Sequence, residues 1–119
     1  MRNDHVTIPS ELGTITIAPG AVADIVARTA GRCYGVVGFA SRTRVGRMIG
    51  RRRPVSAVTV AQEDGALRVD LHVVVEYGLN LAEVGSTLRS QVTYELERLT
   101  GLRVASVGVH IENARRSRK

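Results

Sequence analysis

The chain has 119 residues, the size of one domain, and a 44% apolar content that can fill a core without metals or disulfides. Its single cysteine, Cys33, excludes an intrachain disulfide, and no apolar run approaches the roughly 20 residues that span a bilayer. The net charge is +6 and comes almost wholly from arginine, Lys119 being the only lysine.

Residues 1–12 mix charged and polar side chains, contain no leader-like apolar run, and read as a flexible start that includes His5. From Thr14 to Ala18, Ile15 and Ile17 alternate with threonines, the period of a half-buried strand. Pro19 then suits a first helical turn, where its missing N–H has no partner to lose. Val22, Ile25, Val26, Thr29, Ala30 and Cys33 recur at helical spacing and predict an amphipathic helix over 20–33, with Gly31 near its fraying end. Val36 to Ala40 reads as a short apolar strand between glycines.

The segment 41–54 breaks this pattern. Arg42, Arg44, Arg47, Arg51, Arg52 and Arg53 fall there without one acidic residue, and Pro54 closes it. Val45, Met48 and Ile49 have helical spacing, but Gly46 and Gly50 weaken so short a helix, and a basic loop is the expectation. Three readings stay open: a solvated loop in an arginine-rich proteome, a contact for an anionic lipid surface or acidic protein, and a non-specific nucleic-acid contact. At an anionic membrane each basic residue contributes about 1 kcal/mol, so six suffice for reversible attachment. Nucleic acid is disfavoured, because the only aromatics are Tyr34, Phe39, Tyr77 and Tyr94, and Phe39 and Tyr77 read as core.

Val55–Ala61 and Leu67–Tyr77 predict a hairpin closed around Asp64-Gly65. On its second strand Leu67, Val69, Leu71, Val73, Val75 and Tyr77 share one face, while Arg68, Asp70, His72, Val74 and Glu76 share the other. Asn80 is a good N-cap with Glu83 three residues on. Leu81, Val84, Leu88, Val92, Leu96 and Leu99 then mark a long amphipathic helix that stops at Gly101. A last strand covers 102–111, with Ala105, Val107, Val109 and Ile111 alternating, and 114–119 reads as a basic disordered tail. Two one-striped helices and one-faced strands give an α+β two-layer sandwich over 13–113. It is a mostly antiparallel sheet with both helices on one face.

No spacing here belongs to a metal site, a phosphate loop or a nucleophile elbow, so neither catalytic residues nor a cofactor are expected. Cys33 continues an apolar stripe and reads as an inert small hydrophobe. His72 and His110 lie on the non-core faces of their strands and would approach each other if those strands are neighbours. With Asp70, Glu76 and Glu112 nearby, that face reads as a plain polar surface, a weak metal or pH-sensitive contact, or a self-association face of His72, Val74 and His110. Of the last two, self-association is preferred.

Three stretches in order, Gly13–Pro19 (GTITIAP), Val69–Val84 (VDLHVVVEYGLNLAEV) and Leu99–Asn113 (LTGLRVASVGVHIEN), resemble signature regions of the alkaline shock (general stress) protein family of Gram-positive bacteria. The resemblance spans roughly 13–113, with 41–54 as its variable part. It implies a non-enzymatic envelope stress-response protein. Such a protein would be cytoplasmic, peripheral at the membrane through a small membrane-anchoring or acidic protein partner, and prone to homo-oligomerise. The alternative is a small basic nucleic-acid-binding domain.

Overall fold

The computed structural model describes residues 5–40 and 57–116. Strands β1 (Val6–Ser10) and β2 (Gly13–Ile17) precede helix α1 (Pro19–Gly31) and strand β3 (Val36–Phe39). Strands β4 (Val58–Glu63) and β5 (Ala66–Glu76), helix α2 (Leu81–Thr100) and strand β6 (Val104–Arg115) follow. The α+β sandwich expected from the patterning is what forms.

Strand β5 organises the sheet. Its odd-numbered side chains, Leu67, Val69, Leu71, Val73 and Val75, are exposed by 1% or less. They pack against Val22, Val26 and Ala30 of α1 and Val84, Leu88, Val92 and Leu96 of α2 in one cluster. Each such burial contributes about 1.5–3 kcal/mol, so the two helical stripes are held to the same face of β5. On one edge, β4 pairs antiparallel with residues 66–71 of β5, and β3 pairs antiparallel with residues 73–75. Between them the Ala40 N–H donates to the His72 carbonyl at 3.1 Å. The chain therefore leaves this edge beside His72 and rejoins it at Val58, opposite Leu71. On the other edge β6 runs parallel to β5, a pairing made possible by α2 as the crossover.

Local chemistry sets the ends of these elements. Asp64 and Gly65 both have positive φ, 52° and 81°, the geometry of a two-residue hairpin turn that matches strand twist. The Asn80 side chain accepts from Glu83 N–H at 3.0 Å, capping α2 as its sequence predicts. Gly101, at φ 76°, ends that helix in the left-handed region, and its N–H donates to the Glu97 carbonyl.

Four expectations are corrected. Residues 6–10 are not a flexible start: β1 pairs with β2 from Val6 opposite Ile17 to Ser10 opposite Gly13. Val6 is fully buried, and the Gln62 side-chain amide docks the hairpin by exchanging hydrogen bonds of 2.9 and 3.0 Å with the Thr7 backbone. At the other end β6 extends to Arg115, so Ala114 and Arg115 belong to the sheet and not to a disordered tail. Within β6, a register shift after Val104 makes Val104, not Ala105, the core-facing residue opposite Leu67. Finally, Tyr77 is 62% exposed, because β5 ends at Glu76 and the chain turns before the ring can reach the core. Among the described residues no helix is long and apolar enough to cross a membrane.

Candidate functional site

The face of the sheet opposite the helices carries the even-numbered residues of β5. Parallel pairing sets His72 directly opposite His110, Asp70 opposite Gly108 and Glu76 opposite Arg115. The two imidazoles stack with ring centroids 4.5 Å apart and planes 14° from parallel. His72 Nδ1 lies 2.6 Å from Glu112 Oε2, and His110 Nε2 lies 3.2 Å from Asp70 Oδ1. An ionised carboxylate can only accept, so the ring nitrogen facing it carries the proton in each pair. The result is a ladder of carboxylate, imidazole, imidazole and carboxylate across two strands, with the second nitrogen of each ring turned away from its acid.

Gly108 makes this ladder possible. A Cβ built on it would overlap Asp70 Oδ1 and come within 3.4 Å of His110 Nε2. The missing side chain is the space through which Asp70 leans across β6. A comparable relation holds at the far end of the face. The Arg115 guanidinium crosses from β6 to lie 2.9 Å from where a Gly38 Cβ would stand, with Val74 Cβ 3.8 Å from the same point. Val74 is only 8% exposed. It is therefore not available as the centre of a self-association face, and the accessible members of that predicted trio are His110 and the less exposed His72.

The six arginines Arg42, Arg44, Arg47, Arg51, Arg52 and Arg53 lie outside the described residues. The points where their segment departs and returns, Ala40 and Val58, sit against His72 and Leu71.

Cys33 is half-buried just past α1, and its thiol donates to the Thr29 carbonyl at 3.4 Å. Burial pushes the thiol above its ordinary range, partly countered by the positive charge of Arg32. Sequence reasoning missed Gly108, Gly38 and Arg115. The signal for the first was available, since a glycine inside an otherwise apolar strand marks a close approach.

The model of the ASP23 (alkaline shock protein) family, described as having a cell envelope-related function, matches residues 7–116. The chain belongs to that family. The resemblance read from the three ordered stretches is thereby borne out, and an envelope-related role comes with it. Among curated relatives, the uncharacterized protein YloU of Bacillus subtilis is 26% identical over 114 residues, covering 92% of this chain and 95% of its own. The uncharacterized protein Spy1614 of Streptococcus pyogenes serotype M6 is 28% identical over 112 residues, covering 91% and 93%. YqhY of B. subtilis, also uncharacterized, is 24% identical over 113 residues, covering 93% of this chain and 82% of its own. No solved structure matches the chain. The matched range runs from β1 through β6, so the sheet that carries the two histidines lies wholly within the family domain.

Proposed function

We propose that this family member is a non-catalytic protein-interaction module of the envelope stress response. It works at the cytoplasmic face of the membrane, where a small membrane-anchoring or acidic partner recruits it, and it self-associates. The observation that carries this reading is the sheet face opposite the two helices. One side of β5 is sealed by two helices, while the other presents paired polar side chains, among them His72, whose carbonyl accepts from Ala40. In the ladder each imidazole is already paired with a carboxylate, an arrangement suited to a contact surface. Among the described residues, no group of three His, Cys, Asp or Glu side chains is placed to hold a metal ion.

The test is membrane co-sedimentation of the full chain, expressed with its native membrane fraction and, separately, mixed with vesicles of neutral or anionic lipid. Replacing Arg51, Arg52 and Arg53 by glutamine should weaken sedimentation with native membranes while leaving thermal unfolding nearly unchanged. Equal recruitment of the triple variant would remove the arginines from the mechanism. A gel shift with DNA at low salt, with no sedimentation alongside membranes, would favour a nucleic-acid partner instead.

A further inference from the structure

Strand β6 borders the sheet, with β5 as its one strand neighbour among the described residues. The direction of its backbone groups follows from the register and two hydrogen bonds. The Leu67 N–H donates to the Arg103 carbonyl at 2.9 Å, and the Tyr77 N–H to the Arg115 carbonyl at 3.0 Å. Because backbone groups alternate sides along a strand, the β6 residues opposite Leu67, Val69, Leu71, Val73 and Val75 turn theirs outward. These are Val104, Val107, Val109, Ile111 and Ala114. Side chains close the two ends: Glu97 Oε2 accepts from the Val104 N–H at 3.0 Å, and Asn113 Oδ1 from the Ala114 N–H at 2.8 Å. Val107, Val109 and Ile111 are left as three outward rungs in the middle of a 12-residue strand. Natural sheets usually block such an edge with proline, lysine or a covering element, and the run from Ser106 to Glu112 has neither proline nor lysine.

The pattern of outward rungs is symmetric about Val109. Val107 and Ile111 flank it at equal distance, and so do Val104 and Ala114, because the register shift after Val104 is mirrored by one between Ile111 and Asn113. A pattern that reads the same in both directions is what a two-fold axis requires, since one patch must then complement itself. We propose that β6 pairs antiparallel with β6 of a second copy across a two-fold axis at Val109, joining the two sheets into one. Val109 faces its own counterpart, Val107 faces the second copy's Ile111, and bulge faces bulge. Both pairs of helices then stand on the same side. Tyr94, 62% exposed, lines a groove of about 470 Å³ with Val104, Ala105 and Ser106, and the second copy's Glu112–Ala114 run enters it. On the opposite face, His110 meets the second copy's Gly108 and the Asp70 that overlies it. Each copy carries a net charge of +6, so added salt tightens the dimer by screening the repulsion between the two.

This deepens the self-association part of the proposed function and is separable from recruitment. Sedimentation velocity over a dilution series of the full chain should give a dimer that dissociates on dilution and strengthens with salt. The Val109→Pro substitution removes an N–H that β5 does not use, so the fold is kept while the central rung is lost. It should raise the dimer dissociation constant by at least about tenfold, since several linked hydrogen bonds go with it. As an independent readout, Cys33→Ser combined with Val109→Cys should form an interchain disulfide under mild oxidation, because a directly opposed antiparallel pair brings the two Cα atoms to about 5.5 Å. Cys33→Ser with Thr59→Cys, on the other side of the sheet, should not. A chain that stays monomeric at every concentration, a folded Val109→Pro variant that dimerises like the parent, or absence of the Val109→Cys cross-link overturns the pairing. An extended peptide bound at β6 of a monomer would do so too, while membrane co-sedimentation would still decide recruitment on its own terms.

Discussion

The two faces of β5 carry opposite kinds of information. On the helix side, Leu67, Val69, Leu71, Val73 and Val75 are interchangeable in chemistry and differ only in shape, and their burial fixes the fold. On the open side, particular pairs form: Asp70 with His110, His72 with Glu112, and the Arg115 guanidinium against Gly38. Aliphatic packing is strong and tolerant, whereas the polar ladder is weak and particular. A substitution on the first face should therefore cost stability, and one on the second should change geometry and contacts at nearly constant stability.

That contrast can be broken in graded steps. Leu71→Ala, at the centre of the helix-covered face, should destabilise the protein by about 2–5 kcal/mol in urea unfolding, through lost burial and a residual cavity. A loss below about 1 kcal/mol would show that the core relaxes around the site. Gly108→Ala should cost less, about 1–2 kcal/mol, because its new methyl displaces Asp70 rather than the backbone. Its sharper signature is spectroscopic: the His110 ring resonances should move in NMR spectra, while those of buried methyls on β5 stay in place. Glu112→Gln should cost under about 1 kcal/mol, as partly exposed pairs do, with the change confined to the His72 ring. The smallest effect is expected at Cys33. Its raised pKa keeps the thiol protonated at neutral pH, so alkylation should be slower than for the unfolded chain. Folded Cys33 holds its proton more tightly than unfolded, so the associated stability is fully present below the ordinary thiol range and is lost as pH rises through the folded value. Equal alkylation rates in native and urea-unfolded protein would remove Cys33 from the set of protected groups.

Much of the helix-covered face was legible because periodicity reports burial directly. The α2 stripe, the Asn80 cap and the Asp64-Gly65 turn follow from local rules, and each forms where its residues stand. The stripe's margins are read less well: Leu81 and Leu99 are 45% and 50% exposed, since a helix on a flat sheet buries only the centre of its apolar arc. The open face depends on which strands are neighbours, which period alone does not encode. Parity places His72 and His110 on one face, but only the α2 crossover, setting β6 parallel to β5, puts them opposite each other. The first strand escapes notice because Val6 and Ile8 share it with Pro9, and its anchoring comes from Gln62, far along the chain. Arg115 reads as part of a tail because charge near a terminus resembles solvated surface, whereas its guanidinium reaches across the sheet to Gly38.

The way β3 and β4 share one edge of β5 has a consequence for how such a protein can diversify. Ala40 and Val58 meet β5 at adjacent residues, His72 and Leu71, so two points far apart along the chain are held close together in the sheet. Closing a loop between fixed neighbouring points costs only about 0.6 kcal/mol more for each doubling of its length. Between two such fixed points, a change in the number or charge of the connecting residues is expected to cost little in closure entropy. A tag, a fluorophore-binding peptide or another member's segment grafted there should leave the melting temperature within a few degrees. An unchanged melting temperature in such grafts would show that the sheet, fixed at Ala40 and Val58, holds its fold independently of what connects them.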